Sequence, residues 1–212
     1  MSTPDRLSEE DRARIVGRYE ERFRQYGDDL RTLNTGKGDK LRIQHTAHAS
    51  IGDLENTTLL DIGCGLGYYY KFLRDQSIPI RYIGYDIVPS FIEANRQQFP
   101  EAEFEVRDIS QDGIAHEADY VCMCQVFNNR YEDVDNDSVV RSALEAAFKA
   151  ARRGVSIDML GDYVNYHEDH LFYFSPERMF SYAKSLTPFV SLRHDYLPFD
   201  FTLFLYKEAT LV

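Results

Sequence analysis

The stretch Leu59-Leu60-Asp61-Ile62-Gly63-Cys64-Gly65-Leu66-Gly67 decides how the rest of the chain is read. A short apolar run of strand formers, starting at Thr57, passes directly into three glycines at alternate positions. A helical stretch, Tyr68 to Asp75, follows. Glycine has no Cβ, so a backbone built from it turns sharply and can lie against a ligand. In open α/β sheets ligands bind beyond the carboxyl ends of the strands, where the strand order reverses. The turn after the first strand is that place. Its spacing, Gly63-x-Gly65-x-Gly67, is not the G-x-G-x-x-G of nicotinamide and flavin enzymes, and no G-K-[ST] makes it a phosphate loop. Asp61 at the strand end argues against a pyrophosphate and would attract an ammonium or a sulfonium.

Working outward, strands alternate with helices. Strands are expected at Ile80–Tyr85, Glu103–Val106, Ala118–Cys124 and Val155–Leu160. Helices are expected at Ser90–Gln98, Asp137–Arg152 and Pro176–Ser185. Two late strands, Val190–Asp195 and Phe199–Tyr206, follow with only a short link through Pro198, which suits antiparallel neighbours. The pattern predicts an α/β, Rossmann-like fold. Its seven-stranded sheet is mostly parallel, with one antiparallel strand near the C-terminus and helices on both faces. Upstream, Ser8 to Leu33 reads as helical, with Ser8 as cap and Glu9, Glu10 and Asp11 at the positive end of the dipole; Gly27 weakens the pattern. Asn34 to Asp39 reads as a loop and Lys40 to Ser50 as a second helix. We expect one domain, with residues 1–55 as an N-terminal helical lid and 56–212 as the Rossmann-like core.

The 212 residues suit a single core. The net charge of −11 disfavours nucleic acid as a partner and mildly favours neutral or cationic substrates, although a local pocket can reverse that. Three cysteines, Cys64, Cys122 and Cys124, form no C-x-x-C pair, so neither a disulfide framework nor a zinc site is expected. With no apolar leader and no membrane span, the expectation is a cytoplasmic protein without a membrane partner. The oligomeric state is left open.

The run Leu-Leu-Asp-Ile-Gly-Cys-Gly-x-Gly resembles the glycine-rich signature of class I S-adenosylmethionine-dependent methyltransferases. The resemblance implies that Asp61, Gly63, Gly65 and Gly67 contact the cofactor. It implies that Asp86, about 20 residues beyond the glycines, accepts hydrogen bonds from the ribose hydroxyls, with Ile87 beside it. Asp108 and Ile109 match the position that contacts adenine, though a plain helix cap is the alternative reading of Asp108. Asp119 to Asn128 matches the fourth strand and the loop facing the methyl group, with Cys124 among the cofactor contacts. Tyr26-Gly27-Asp28-Asp29 with Asn34-Thr35-Gly36, and the tail Leu192 to Pro198, resemble a bacterial subgroup acting on small molecules; Thr35 stands where a tryptophan often occurs.

The implied activity is methyl transfer from S-adenosylmethionine to oxygen or nitrogen of a small-molecule acceptor. The alternatives are a protein or tRNA methyltransferase, or a cofactor-binding protein without turnover. Asn128, His167 and His170 are the catalytic candidates; Asn129 and His194 are weaker ones. The pairs His45/His48 and His167/His170 have i,i+3 spacing but no third ligand in sequence, so no metal is expected. The aromatic cluster Tyr163, Tyr166, Phe172, Tyr173 and Phe174 reads mostly as core, with a share that could wall an acceptor pocket.

Overall fold

The computed structural model describes residues 6–34 and 38–210. Ser8 caps helix α1 (Glu9–Tyr26), its Oγ accepting the Asp11 N–H at 2.9 Å. The helix stops at Gly27, whose φ of 61° carries the chain out of register. A separate short helix, α2 (Leu30–Leu33), is capped by Asp29, so the single helix expected from Ser8 to Leu33 is two. Residues 35–37 of the expected loop, Thr35 included, lie outside the described residues. Helix α3 (Gly38–Ala49) leads into the sheet.

The sheet has seven strands in the order β3-β2-β1-β4-β5-β7-β6. These are β1 (Thr57–Ile62), β2 (Ile80–Asp86), β3 (Glu103–Val106), β4 (Ala118–Met123), β5 (Ala151–Leu160), β6 (Val190–Arg193) and β7 (Asp200–Tyr206). Strand β7 runs antiparallel to both its neighbours, and the remaining pairs are parallel, as expected. Leu60, Ile83, Val121, Val155 and Leu203 are fully buried, which is why the central strands read as continuous apolar runs rather than alternating ones. Helices α4 (Tyr68–Asp75), α5 (Pro89–Gln98), α7 (Asn136–Ala150) and α8 (Pro176–Leu186) make the connections. A four-residue α6 (Ile109–Asp112) was not expected as an element.

The junction of α7 and β5 also differs from the expectation. The sequence pattern carries the helix to Arg152, but strand β5 starts at Ala151. Pairing with β4 wins there over helical periodicity: Ala118 opposes Ala151, the register shifts, and Arg152 and Arg153 swing out to Glu117 and Asp119. Cys124 likewise falls just past the end of β4. No helix among the described residues is long and apolar enough to cross a membrane.

The order reverses between β1 and β4, so the loops after these strands open a crevice at their carboxyl ends. Helices α1, α2 and α3 reach this crevice: Ile15, Tyr19, Leu33, Leu41 and His45 line it.

Candidate functional site

The turn after β1 is held by two backbone bonds, Gly63 and Cys64 N–H to the Tyr85 carbonyl at 2.7 and 2.9 Å. Gly63, Gly65 and Gly67 have φ of 75°, 52° and 70°, a region that side-chain-bearing residues enter only with strain. A Cβ on Gly63 would come within 2.6 Å of Val126 Cγ2, so the loop after β4 closes tightly on the turn. Gly67 does a different job: it caps α4, and a Cβ there would meet Phe99 Cε2 at 2.8 Å, on the side away from the crevice. Cys64 fills space against Gly84; burial, followed by Asp86 and Asp61, pushes its thiol pKa well up, which makes it no nucleophile.

Beside the turn lies a cavity of about 460 Å³, a size typical of small-ligand pockets. Asp61, Gly63, Gly65, Asp86, Ile87, Asp108, Ile109 and Cys124 all line it; Gly67 does not. Asp61 is buried. Its Oδ2 accepts the Tyr82 hydroxyl and its Oδ1 has no partner. Burial drives its pKa up to about 7, against the lowering by the Tyr82 bond and His48. Asp86 accepts the N–H groups of Gly65 (2.8 Å) and Val88 (2.9 Å), and burial still lifts its pKa to about 6. Asp108 caps α6 through Ser110 N–H at 2.9 Å, as the alternative reading had it, yet it also lines the cavity. Its Oδ2 is buried without a hydrogen bond and lies 3.3 Å from Arg12 Nε.

Beyond β4 the wall changes. Gln125 takes a left-handed conformation, φ 59°, costly for a residue with a side chain. Asp158 on β5 holds it there, accepting its backbone N–H at 2.6 Å and its side-chain amide at 2.8 Å. Burial raises the pKa of Asp158, but His48 and the bonds from His48 and Gln125 outweigh that and hold it below the usual value. His48 lies with Nε2 3.5 Å from Asp158 Oδ2 and Nδ1 2.9 Å from Ser156 Oγ. With Cys124, these groups bring three potential metal-binding atoms within 4.8 Å of one another. The Asp158 carboxylate accepts both Gln125 donors, with His48 Nε2 3.5 Å away, and so fixes the loop.

A smaller pocket of about 170 Å³ shares Tyr19, Leu33, Gln125 and Asn129 with the large cavity and extends over the ends of β4 and β5. Of the catalytic candidates, Asn128 and His170 line it. The Asn128 amide is engaged at both ends: Nδ2 donates to Gln125 Oε1 at 3.0 Å and Oδ1 accepts Leu160 N–H at 2.9 Å. His167 is exposed, packs edge-on against Tyr173, and lines neither cavity. His194 points Nε2 at the Pro198 carbonyl, 3.3 Å away, and lines neither. None of the five aromatics after β5 lines either cavity; Tyr163 and Tyr166 are 60% and 66% exposed. His45 lines the large cavity instead, and burial, with His48 second, lowers its pKa to about 3, so it is neutral.

Sequence reasoning missed Gln125, Asp158, Arg18 and Arg22. Asp158 left a signal, a lone carboxylate inside the apolar run Val155 to Leu160. Arg18 and Arg22 left a fainter one, their i,i+4 spacing on α1. Gln125 lies in the segment already matched to the loop after the fourth strand, but its left-handed conformation left no signal, since it is held by a residue on another strand.

A glycine turn at the switch point, flanked by acidic strand ends and closed by an antiparallel seventh strand, defines the class: a Rossmann-like, S-adenosylmethionine-dependent methyltransferase fold. Comparison with known proteins agrees. Residues 60–155 match the family model described as a methyltransferase domain. A malonyl-[acyl-carrier protein] O-methyltransferase of Acetivibrio thermocellus is 30% identical over 121 residues; the match covers 47% of this chain and 43% of that protein, so the chain spans under half its length. Magnesium protoporphyrin IX methyltransferase from Synechocystis PCC 6803, solved with bound SAH, superposes with a TM-score of 0.66 at 12% identity, covering 93% of this chain and 100% of that one. A methyltransferase of the same cofactor dependence from Clostridium acetobutylicum gives 0.62 at 13% identity, covering 88% and 98%. Residues 60–155 thus match a methyltransferase domain, and the chain has the fold of solved S-adenosylmethionine-dependent methyltransferases.

Proposed function

We propose that the large cavity holds S-adenosylmethionine and that the chain transfers its methyl group to oxygen or nitrogen of a small molecule in the smaller pocket. The observation that carries this reading is an orphaned acceptor. Asp61 Oδ1 is buried without a partner on the cavity wall beside the glycine turn, and Asp108, whose Oδ2 meets only the Arg12 guanidinium, lines the same wall. The cofactor's amino group and its adenine amine are donors that suit such atoms.

On this reading Asp61 faces the amino group, Gly63 and Gly65 let the backbone approach, and Asp86 accepts the ribose hydroxyls with Ile87 alongside. Asp108 and Ile109 hold the adenine. Cys124 and Gln125 form the wall where the two cavities meet. Gly67 supports the turn from behind. When bound, the cofactor supplies a methyl carbon activated by the sulfonium charge. The chain's own residues then act mainly by alignment, which is worth several kcal/mol when reacting atoms are held about 3 Å apart. Asn128 fixes the loop, and His170 is the titratable side chain lining the pocket that can take a proton from the acceptor. Residues 1–55 serve as the helical lid over the core of 56–212, consistent with the side chains of α1 to α3 that line the cavity.

Incubation with methyl-labelled cofactor and a whole-cell extract tests the reading. Label is expected in low-mass products. Label confined to protein or RNA contradicts the small-molecule assignment.

A further inference from the structure

The chain is strongly acidic, yet its smaller pocket is not. Arg18, Arg22 and Lys40 line that pocket, and no carboxylate does among the described residues. Lys40 is balanced by Asp200, with Nζ 3.2 Å from Oδ2. The two arginines are not balanced. Arg18 donates to the Asn129 side-chain oxygen, and Arg22 to the Thr32 and Arg31 carbonyls and to Asn34 Oδ1. All these partners are neutral, and neither guanidinium has an ion pair among the described residues. Earlier on the same helix the habit is opposite: Arg12 pairs with Asp108, and Arg14 with Asp11 and Glu132. Arg18 and Arg22 are four residues apart, on one face of α1, and both are half-buried. Partial burial strengthens an uncompensated charge, and a guanidinium presents paired donors that match a carboxylate or phosphate.

We propose that the smaller pocket takes an acceptor carrying an anionic group, a carboxylate or a phosphate, and that Arg18 and Arg22 bind it. This reverses the leaning toward neutral or cationic substrates that the net charge gives. It rests on the reading of the cleft as a methyltransferase site.

The test uses the full chain, labelled S-adenosylmethionine, and a metabolite extract separated by charge on ion exchangers. Label is expected in products from the anionic fraction. Phosphatase treatment of that fraction separates the two sources: loss of the acceptor means a phosphate, persistence a carboxylate. With that fraction as substrate, Arg18→Gln and Arg22→Gln should each raise the apparent KM by roughly 10-fold or more, the scale of a lost charge-assisted pair. Affinity for S-adenosylhomocysteine, measured in parallel, should stay unchanged. Arg22 also braces α2, so Arg18→Gln, with Arg18→Lys as partial rescue, carries the test if Arg22→Gln does not fold. Label only in neutral or cationic fractions overturns the proposal and leaves methyl transfer standing. So does a loss of S-adenosylhomocysteine affinity in Arg18→Gln, which would place that cation on the cofactor. No label in any fraction, in protein that still binds S-adenosylhomocysteine, overturns the proposed function as well.

Discussion

On one side of Gln125 the cleft is walled by buried carboxylates, Asp61, Asp86 and Asp108, around a glycine turn; on the other it is walled by Arg18, Arg22 and Lys40 with amides. The three carboxylates of the first side sit at or just beyond the carboxyl ends of β1, β2 and β3, positions that the sheet itself fixes. The second draws its charges from α1 and α3, which are far away in sequence. The difference teaches that one part of the site is a property of the fold and the other a property of what packs over it. Gln125 is the boundary, and Asp158 holds the boundary in place.

The most severe way to break this division is to release the boundary. Asp158→Ala removes the acceptor of the Gln125 backbone N–H and one of the two carboxylates that its side-chain amide reaches, the other being Asp200. We expect a loss of about 3 kcal/mol or more, since each of two hydrogen bonds to a charged acceptor is worth about 1.5–3 kcal/mol. Thermal or urea unfolding reads this directly, and an unchanged midpoint would mean that the loop is held by other contacts.

A smaller effect, limited to the carboxylate side, is expected from Asp86→Asn. Loss of a charged acceptor of hydrogen bonds is worth about 1.5–3 kcal/mol, or roughly 10- to 100-fold in S-adenosylhomocysteine affinity. Gly63→Ala should follow, with backbone strain of about 1–2 kcal/mol before any clash with Val126. Both variants should spare recognition of the anionic acceptor. If either changed acceptor KM as much as cofactor affinity, the two halves would not be separable.

The mildest test is pH. The folded pKa values of Asp61 and Asp86, about 7 and about 6, lie above the ordinary 3.8. Between about pH 4 and 7 the empty folded protein therefore holds more protons than the unfolded chain. Its stability should fall as pH rises through that window and level off above it. Cofactor affinity should move the other way, because Asp61 must be ionised to attract an ammonium. We expect S-adenosylhomocysteine to bind roughly several-fold more tightly at pH 7.5 than at pH 5.5, with the upper part of that change missing in Asp61→Asn. A flat profile in the unaltered protein would show that Asp61 does not meet the ligand's charge.

The same division decides what could be read from the sequence. The glycine turn, Asp86 at the end of β2 and the antiparallel seventh strand follow from local patterns: strand formers before glycine, an acidic residue at a fixed remove, two strands with no helix between them. These give the sheet and the carboxylate side. Three things were hidden. The start of β5 at Ala151 depends on a neighbouring strand that local periodicity ignores. The aromatic residues after β5 read mostly as core with a share for a pocket wall; Phe174 is core, but Tyr163 and Tyr166 face solvent, and Arg18 and Arg22, from the opposite end of the chain, line the smaller pocket. The conformation of Gln125 is set by Asp158 across a strand boundary, and no spacing rule encodes such a contact.

The most direct test of the account is a calorimetric titration of the folded chain with S-adenosylhomocysteine. The account predicts one site per chain with a dissociation constant in the micromolar range. Folded protein that binds neither S-adenosylhomocysteine nor S-adenosylmethionine would contradict it, leaving the cavity and its buried carboxylates for a ligand of another kind.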